Sequence, residues 1–242
     1  MWTLVLVALV AGTAADHQLR IHNGCGYEIW VGLLGRPWSP DRGGFKLSAH
    51  QRRTSIVPNK WSGRVWGRTH CHGNRCETGD CGRGVHCNGA GGEPPATLAE
   101  ITFDAGGSHN QDFYDISLVD GYNLQMSMSP VRGSYRGNPT WRYCARAGCN
   151  TDLNKSCPQA LRKYGTGGVV GCKSACLVFN TDRYCCRGAH NTPKTCPPFE
   201  YSRIFKKACP QAYSYAYDDE TSTFTCNGHH TGQTNYDITF CG

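Results

Sequence analysis

Between Gln18 and Arg68 apolar and polar positions alternate with a period of two. Tyr27, Ile29, Val31 and Leu33 interleave with Glu28, Trp30 and Gly32, and Val65 and Gly67 separate Arg64, Trp66 and Arg68. Such alternation predicts strands with one buried face. From Thr69 to Pro95 it stops. Gly, Cys, Asn and His dominate there, which predicts a loop region held by cross-links rather than by a core. Strands return at Thr97–Phe103, Tyr114–Val119 and Tyr122–Met128, where Leu124, Met126 and Met128 alternate with Gln125 and Ser127. Asp120-Gly121 between two of these runs reads as a hairpin turn. In Glu200–Ala208 the apolar residues Tyr201, Ile204, Phe205 and Ala208 share one helical face, and Arg203, Lys206 and Lys207 cover the other, solvated one. Thr223–Cys226 and Tyr236–Phe240 close the chain as strands around a Gly/His loop.

The first residues follow a different logic. Trp2 to Ala11 is an apolar run interrupted only by Thr3, too short to span a bilayer, and small residues follow it. It reads as a secretory signal, residues 1–15, removed after Ala15. Composition agrees. Sixteen cysteines in 242 residues, an even number, belong in an oxidising, extracellular compartment. Thirty Gly and 12 Pro favour turns and short strands over long helices. Twenty-five basic against 18 acidic residues leave a charge of +7, a mild preference for anionic surfaces.

No basic-aromatic module is present, so nucleic acid is not an expected partner. The intervals between Cys71, Cys76, Cys81 and Cys87 are longer than the knuckles that suit zinc. His229-His230 reads as part of an exposed loop, and no metal or cofactor is expected. Asn154-Lys155-Ser156 is a candidate glycosylation site, whereas Asn138-Pro139-Thr140 is blocked by its proline. A monomer is expected. Spacing alone does not choose among the possible cysteine pairings.

Several separate motifs resemble those of thaumatin-like proteins. They include the stretch from Gly73 to Cys87, Pro94–Glu100, Asp112–Gly121, Tyr184-Cys185-Cys186, Glu200–Pro210 and Ile238–Cys241. The resemblance runs from about Leu19 to the end of the chain. The family is pathogenesis-related and antifungal. It implies a mainly β fold, a flattened antiparallel β-sandwich with a disulfide-rich helical lobe and a small disulfide-held loop lobe. On that plan 16–68, 101–149 and 210–242 form the sandwich, 69–100 the loop lobe and 150–209 the helical lobe. The implied pairs are Cys25–Cys241, Cys71–Cys76, Cys81–Cys87, Cys144–Cys226, Cys149–Cys209, Cys157–Cys172, Cys176–Cys185 and Cys186–Cys196. Cys71 and Cys76 enclose only four residues, a shorter loop than the family usually has.

The resemblance also implies an acidic cleft lined by one Arg, one Glu and three Asp. The matching positions are Arg64, Glu100, Asp115, Asp120 and Asp218, with Asp219 as the neighbouring alternative. Local pattern agrees for Glu100, which points opposite to Ala99, Ile101 and Phe103. Glycoside hydrolysis needs one protonated and one ionised carboxyl across a bond. Crowding raises carboxyl pKa values, which suits Glu100 as the acid, with Asp115 or Asp120 activating water and Arg64, Asp218 or Asp219 binding substrate.

A fully extended segment would hold Asp115 and Asp120 about 16 Å apart, so only one of them is expected to pair with Glu100. Without the resemblance the same acids also fit solubility, turn capping at Asp120-Gly121 and ion pairs to Arg64. The function implied is that of a secreted defence protein whose cleft binds, and weakly hydrolyses, the β-1,3-glucan of fungal cell walls. As an enzyme it would be an endo-β-1,3-glucanase. The alternative is a non-catalytic antifungal protein that acts on the fungal membrane surface or on a surface receptor.

Overall fold

The computed structural model describes residues 16–105, 111–228 and 234–242. The expected signal segment and His229-His230 lie outside the described residues. Alternation in the sequence becomes pleat. In β7 (Leu98–Thr102) Ala99 and Ile101 face inward, and in β8 (Gln111–Ser117) Tyr114 and Ile116 do. Antiparallel pairing joins these two strands to β5 (Ser62–His72), β2 (Ile29–Arg36), β3 (Gly44–Leu47) and β13 (Phe224–Asn227), in the order β13-β8-β7-β5-β2-β3. β6 (Arg75–Thr78) extends the far end of β5 and makes this a seven-stranded sheet.

A five-stranded sheet packs against it, in the order β10 (Ala147–Cys149), β9 (Met126–Pro130), β14 (Tyr236–Phe240), β1 (His17–Asn23), β4 (Arg52–Val57). Only β1 and β14 pair in parallel there. Leu19, Ile21, Met126, Ile238 and Phe240 of this sheet meet Val31, Val65, Ile101 and Ile116 of the other in one continuous core. The architecture is a mainly antiparallel β-sandwich.

Three sequence expectations change. Asp120-Gly121 is not a hairpin turn, because β8 and β9 belong to different sheets. The chain crosses between the sheets at this point, and Gly121 turns it with φ +85°. A Cβ at Gly121 would meet the Cys172 carbonyl and Pro95 at 2.7 Å each. Asn123 then anchors the crossing by donating to the Gly67 carbonyl and Thr78 Oγ1, both at 2.8 Å, and accepting from the Thr97 N–H.

Second, β2 and β5 are covered on both faces where they pair: Trp30, Trp66 and Arg68 are as buried as Val31 and Val65. The covering layer is the 79–97 segment. Thr69–Pro95 reads in the sequence as a region without a core, yet its Cys81 and Cys87 pack with Ala96 and Leu98 on Trp66. Arg68 ties that layer down. Its guanidinium donates to the carbonyls of Val31, Gly84 and Val85 at 2.6–2.9 Å, and burial lowers its pKa to about 10.

Third, the helix at Glu200–Ala208 (α4 below) buries Ser202 and Phe205, while Ile204 is exposed. The Lys206 ammonium is not free on the solvated side. It bonds the Ala212 carbonyl and Ser222 Oγ and pairs with Asp218 at 3.0 Å.

The remaining elements cluster between Cys149 and Cys209. α1 (Leu153–Ser156) leads into a hairpin of β11 (Arg162–Gly165) and β12 (Gly168–Cys172). α2 (Ala175–Phe179), α3 (Asp182–Cys185) and α4 (Glu200–Ala208) follow, and α5 (Asp219–Ser222) lies beyond. All sixteen cysteines are paired: 25–241, 71–76, 81–87, 144–226, 149–209, 157–172, 176–185 and 186–196. Among the described residues no helix is long and apolar enough to cross a membrane.

Candidate functional site

Strand register builds the site. Arg64 on β5 stands directly opposite Glu100 on β7, and Glu100 directly opposite Asp115 on β8. Their chain neighbours Val65, Ala99, Ile101 and Ile116 fill the core, so the three form a row on the outer face of the seven-stranded sheet. Directly opposed residues have Cβ atoms about 4.5–5.5 Å apart. A cation and two carboxyls are therefore neighbours on a stiff surface.

Asp120 reaches the same place by another route. After Leu118 the chain bends, and Asp120 Oδ2 comes to 3.8 Å from Arg64 Nη1. The distance expected for an extended segment does not apply. The wall opposite is the 213–219 segment. Tyr213 docks on the end of β8, its N–H donating to the Ile116 carbonyl and its carbonyl accepting from the Leu118 N–H. Its hydroxyl donates to Asp219 Oδ1 at 2.9 Å.

Arg64, Glu100, Asp115, Asp120, Tyr213 and Asp219 line one cavity of about 440 Å³. The cavity continues past Arg64, Glu100 and Asp115 into a wider groove of about 780 Å³, walled by Ser62, Thr102 and the exposed Phe113.

Asp218 does not line this cleft. Its Oδ2 accepts from the Ser214 N–H and hydroxyl and pairs with Lys206, and its Oδ1 accepts from Thr221. Those bonds hold the turn that presents Asp219, so the fourth acid of the cleft, beside Glu100, Asp115 and Asp120, is Asp219. The sequence left these two neighbours as alternatives because a turn sends adjacent side chains in different directions. Tyr213 and Phe113 were missed: neither stands in a pattern that marks a site, and only the docking of 213–219 on β8 brings Tyr213 in.

Burial and crowding set the electrostatics. Asp115 has one carboxyl oxygen buried without a hydrogen-bond partner. Burial first, then the charges of Glu100 and Asp219, push its pKa up to about 8. Glu100 is also raised, by burial first and then by Asp120, but Arg64 and a hydrogen bond from Ser117 oppose the rise. Both carboxyls hold protons more tightly than free ones, and only at Glu100 does a nearby guanidinium oppose the rise.

Among the described residues no group of three or more His, Cys, Asp or Glu is placed to hold a metal ion. Asn154, the sequon residue, lies away from the cleft, its side-chain amide donating to the Asn123 carbonyl at 3.1 Å and its oxygen buried.

Comparison with known proteins places the chain. Residues 23–242 match the model of the Thaumatin family. The chain belongs to the thaumatin family. It is 51% identical to "Pathogenesis-related protein 5" of Arabidopsis thaliana, an alignment that covers all of this chain and 96% of that one. It is 47% identical to "Thaumatin-like protein 1a" of Malus domestica, over 98% of this chain and 95% of the relative. A relative from Prunus avium named "Glucan endo-1,3-beta-glucosidase" is 46% identical, over 99% and 96% of the two chains. As a thaumatin-family protein, the chain carries its acidic row on the outer face of one sheet of the sandwich.

Proposed function

We propose that this thaumatin-family protein is a secreted defence protein whose acidic cleft binds the β-1,3-glucan of fungal cell walls and hydrolyses it weakly. The observation that carries the reading is the row Arg64, Glu100, Asp115 across three paired strands, inside a cleft that Asp120 and Asp219 complete. The groove beside it has room for further sugar units along the sheet. Sixteen paired cysteines support an extracellular destination. The name of the Prunus avium relative supports the substrate class.

The chemistry divides between two neighbours. Asp115, protonated at neutral pH, gives its proton to the glycosidic oxygen as the bond breaks. Glu100, kept closer to its ionised form by Arg64, faces the developing oxocarbenium charge as base or nucleophile. Asp120 holds Arg64 in place, and Tyr213 and Asp219 offer hydrogen bonds to sugar hydroxyls.

Reducing-end release from a soluble β-1,3-glucan tests the reading, with wild type beside Glu100→Gln and Asp115→Asn. Wild-type release that both substitutions abolish supports a glycosidase; no release and no binding by wild type at high protein concentration overturns the proposal. The second reading, a non-catalytic antifungal protein, is favoured by the charge of +7. Full inhibition of fungal growth by Glu100→Gln supports it.

A further inference from the structure

A second cavity, of about 660 Å³, lies between the 141–151 segment and the C-terminal end of α4, and it shares no residue with the acidic cleft. Its charge is of the opposite sign. Arg142, Arg146 and Lys206 line it, and no Asp or Glu side chain does. At its edge stands Trp141, 76% exposed, the most exposed of the large apolar side chains among the described residues. An indole held in water at that level leaves a broad apolar face without a partner.

The cations are not equivalent. The Lys206 ammonium is spent on Asp218, Ala212 and Ser222 and contributes only its field. Arg146 uses Nη2 on Asn150 Oδ1 at 2.7 Å and on the main-chain oxygen of Gly242 at 3.1 Å, and its Nε and Nη1 make no hydrogen bond among the described residues. The Arg142 guanidinium makes no hydrogen bond or ion pair among the described residues. Its main chain is nonetheless fixed, since its carbonyl accepts from the Thr225 N–H at 3.1 Å. The Cys149–Cys209 bridge joins the two walls. The site thus offers a firm floor, a free guanidinium and an exposed indole side by side.

We propose that this groove is a second carbohydrate site, and that it takes an acidic, uronate-bearing oligosaccharide. The C–H face of a pyranose lies flat on an indole, and a carboxylate on the ring takes two parallel N–H bonds from a guanidinium. A neutral glucan satisfies Trp141 but leaves Arg142 without a partner. A simple inorganic anion satisfies Arg142 and leaves Trp141 in water. Only a ligand with both features uses both side chains. The proposal is independent of the function assigned to the acidic cleft.

Calorimetric titration of the intact protein with trigalacturonate, beside a neutral α-1,4-linked glucose trisaccharide, tests it. The acidic sugar is expected to bind at least about tenfold more tightly. Trp141→Ala and Arg142→Ala are each expected to lose about tenfold, and Arg142→Lys, which keeps the charge but not the paired N–H geometry, an intermediate amount. Raising the salt from 0.05 to 0.5 M is expected to weaken binding, while Glu100→Gln leaves it unchanged. Near-UV circular dichroism confirms that each variant is folded. Equal affinity for the neutral sugar, or binding indifferent to Trp141 and Arg142, overturns the assignment. So does displacement of the acidic sugar by equimolar inorganic phosphate, which would reduce the groove to a patch for small anions.

Discussion

The sandwich and the segment from 150 to 199 are held together in different ways. Between the two sheets, apolar burial does the work: Leu19, Ile21, Val65, Ile116, Met126 and Ile238 are all at 0% exposure in one cluster. In 150–199 the helices have four or five residues each before α4, too short to be stable alone. Few apolar residues there are fully buried, and Leu177 and Phe179 are exposed. Three bridges lie wholly inside this segment, and Cys149–Cys209 closes its neck. Where burial is scarce, cross-links restrict the unfolded chain instead. The acidic cleft sits on the first kind of structure, its row on paired strands, and takes its far wall from the 213–219 segment just beyond the second.

The largest test of this contrast is reduction. Each native bridge in such a segment contributes about 2–5 kcal/mol. Under reductant the 150–199 segment is expected to unfold first. Limited proteolysis read by mass spectrometry should therefore show early cuts between 150 and 199, and first cuts within β5, β7 or β8 would contradict it. Next in size is a pair of truncations. Ile116→Ala opens the sandwich core and is expected to cost about 2–5 kcal/mol in denaturant unfolding. Leu177→Ala, at an exposed helix position, is expected to stay within about 0.5 kcal/mol. Comparable losses would erase the distinction.

Arg68→Met probes the loop layer that covers β5. It leaves the carbonyls of Val31, Gly84 and Val85 without their donor, an expected loss of about 1–3 kcal/mol. Protection from hydrogen exchange should fall in 79–97 more than in the five-stranded sheet.

The pH dependence of stability is the most diagnostic test for the cleft. The Asp115 carboxyl titrates near about 3.9 in an unfolded chain and near 8 in the native one. The native state therefore binds the extra proton between these values, and stability falls as pH rises from about 4 through 8. Asp115→Asn removes that dependence. Its stability relative to wild type should climb steadily across the same window. A difference flat with pH would mean that the carboxyl is not held protonated.

The alternation around Val31, Val65 and Ile101 told strand from loop, because a buried face writes itself into the sequence every second residue. It did not tell which sheet a strand joins. Asp120-Gly121 therefore read as a hairpin when it is a crossing. The double burial of Trp66 and Arg68 was illegible for a related reason: what covers them is a segment with no periodicity of its own. At the site, residue types and approximate positions came from the resemblance, but the row of Arg64, Glu100 and Asp115 is a matter of register, and register is a property of pairs of strands. The difference between the surroundings of Asp115 and Glu100 turns on one unpartnered oxygen and one nearby guanidinium, which no local spacing reveals.

The clasp at the two ends of the fold has a mechanical meaning. Cys25 and Cys241, 216 residues apart, are joined, and β1 and β14 run parallel beside them. Tension applied to the chain outside this clasp is borne by one covalent bond, and everything between stays slack. A machine that unravels proteins by pulling would have to open that ring before it could draw out any of the chain between Cys25 and Cys241. To destroy this molecule, chemistry must come before force.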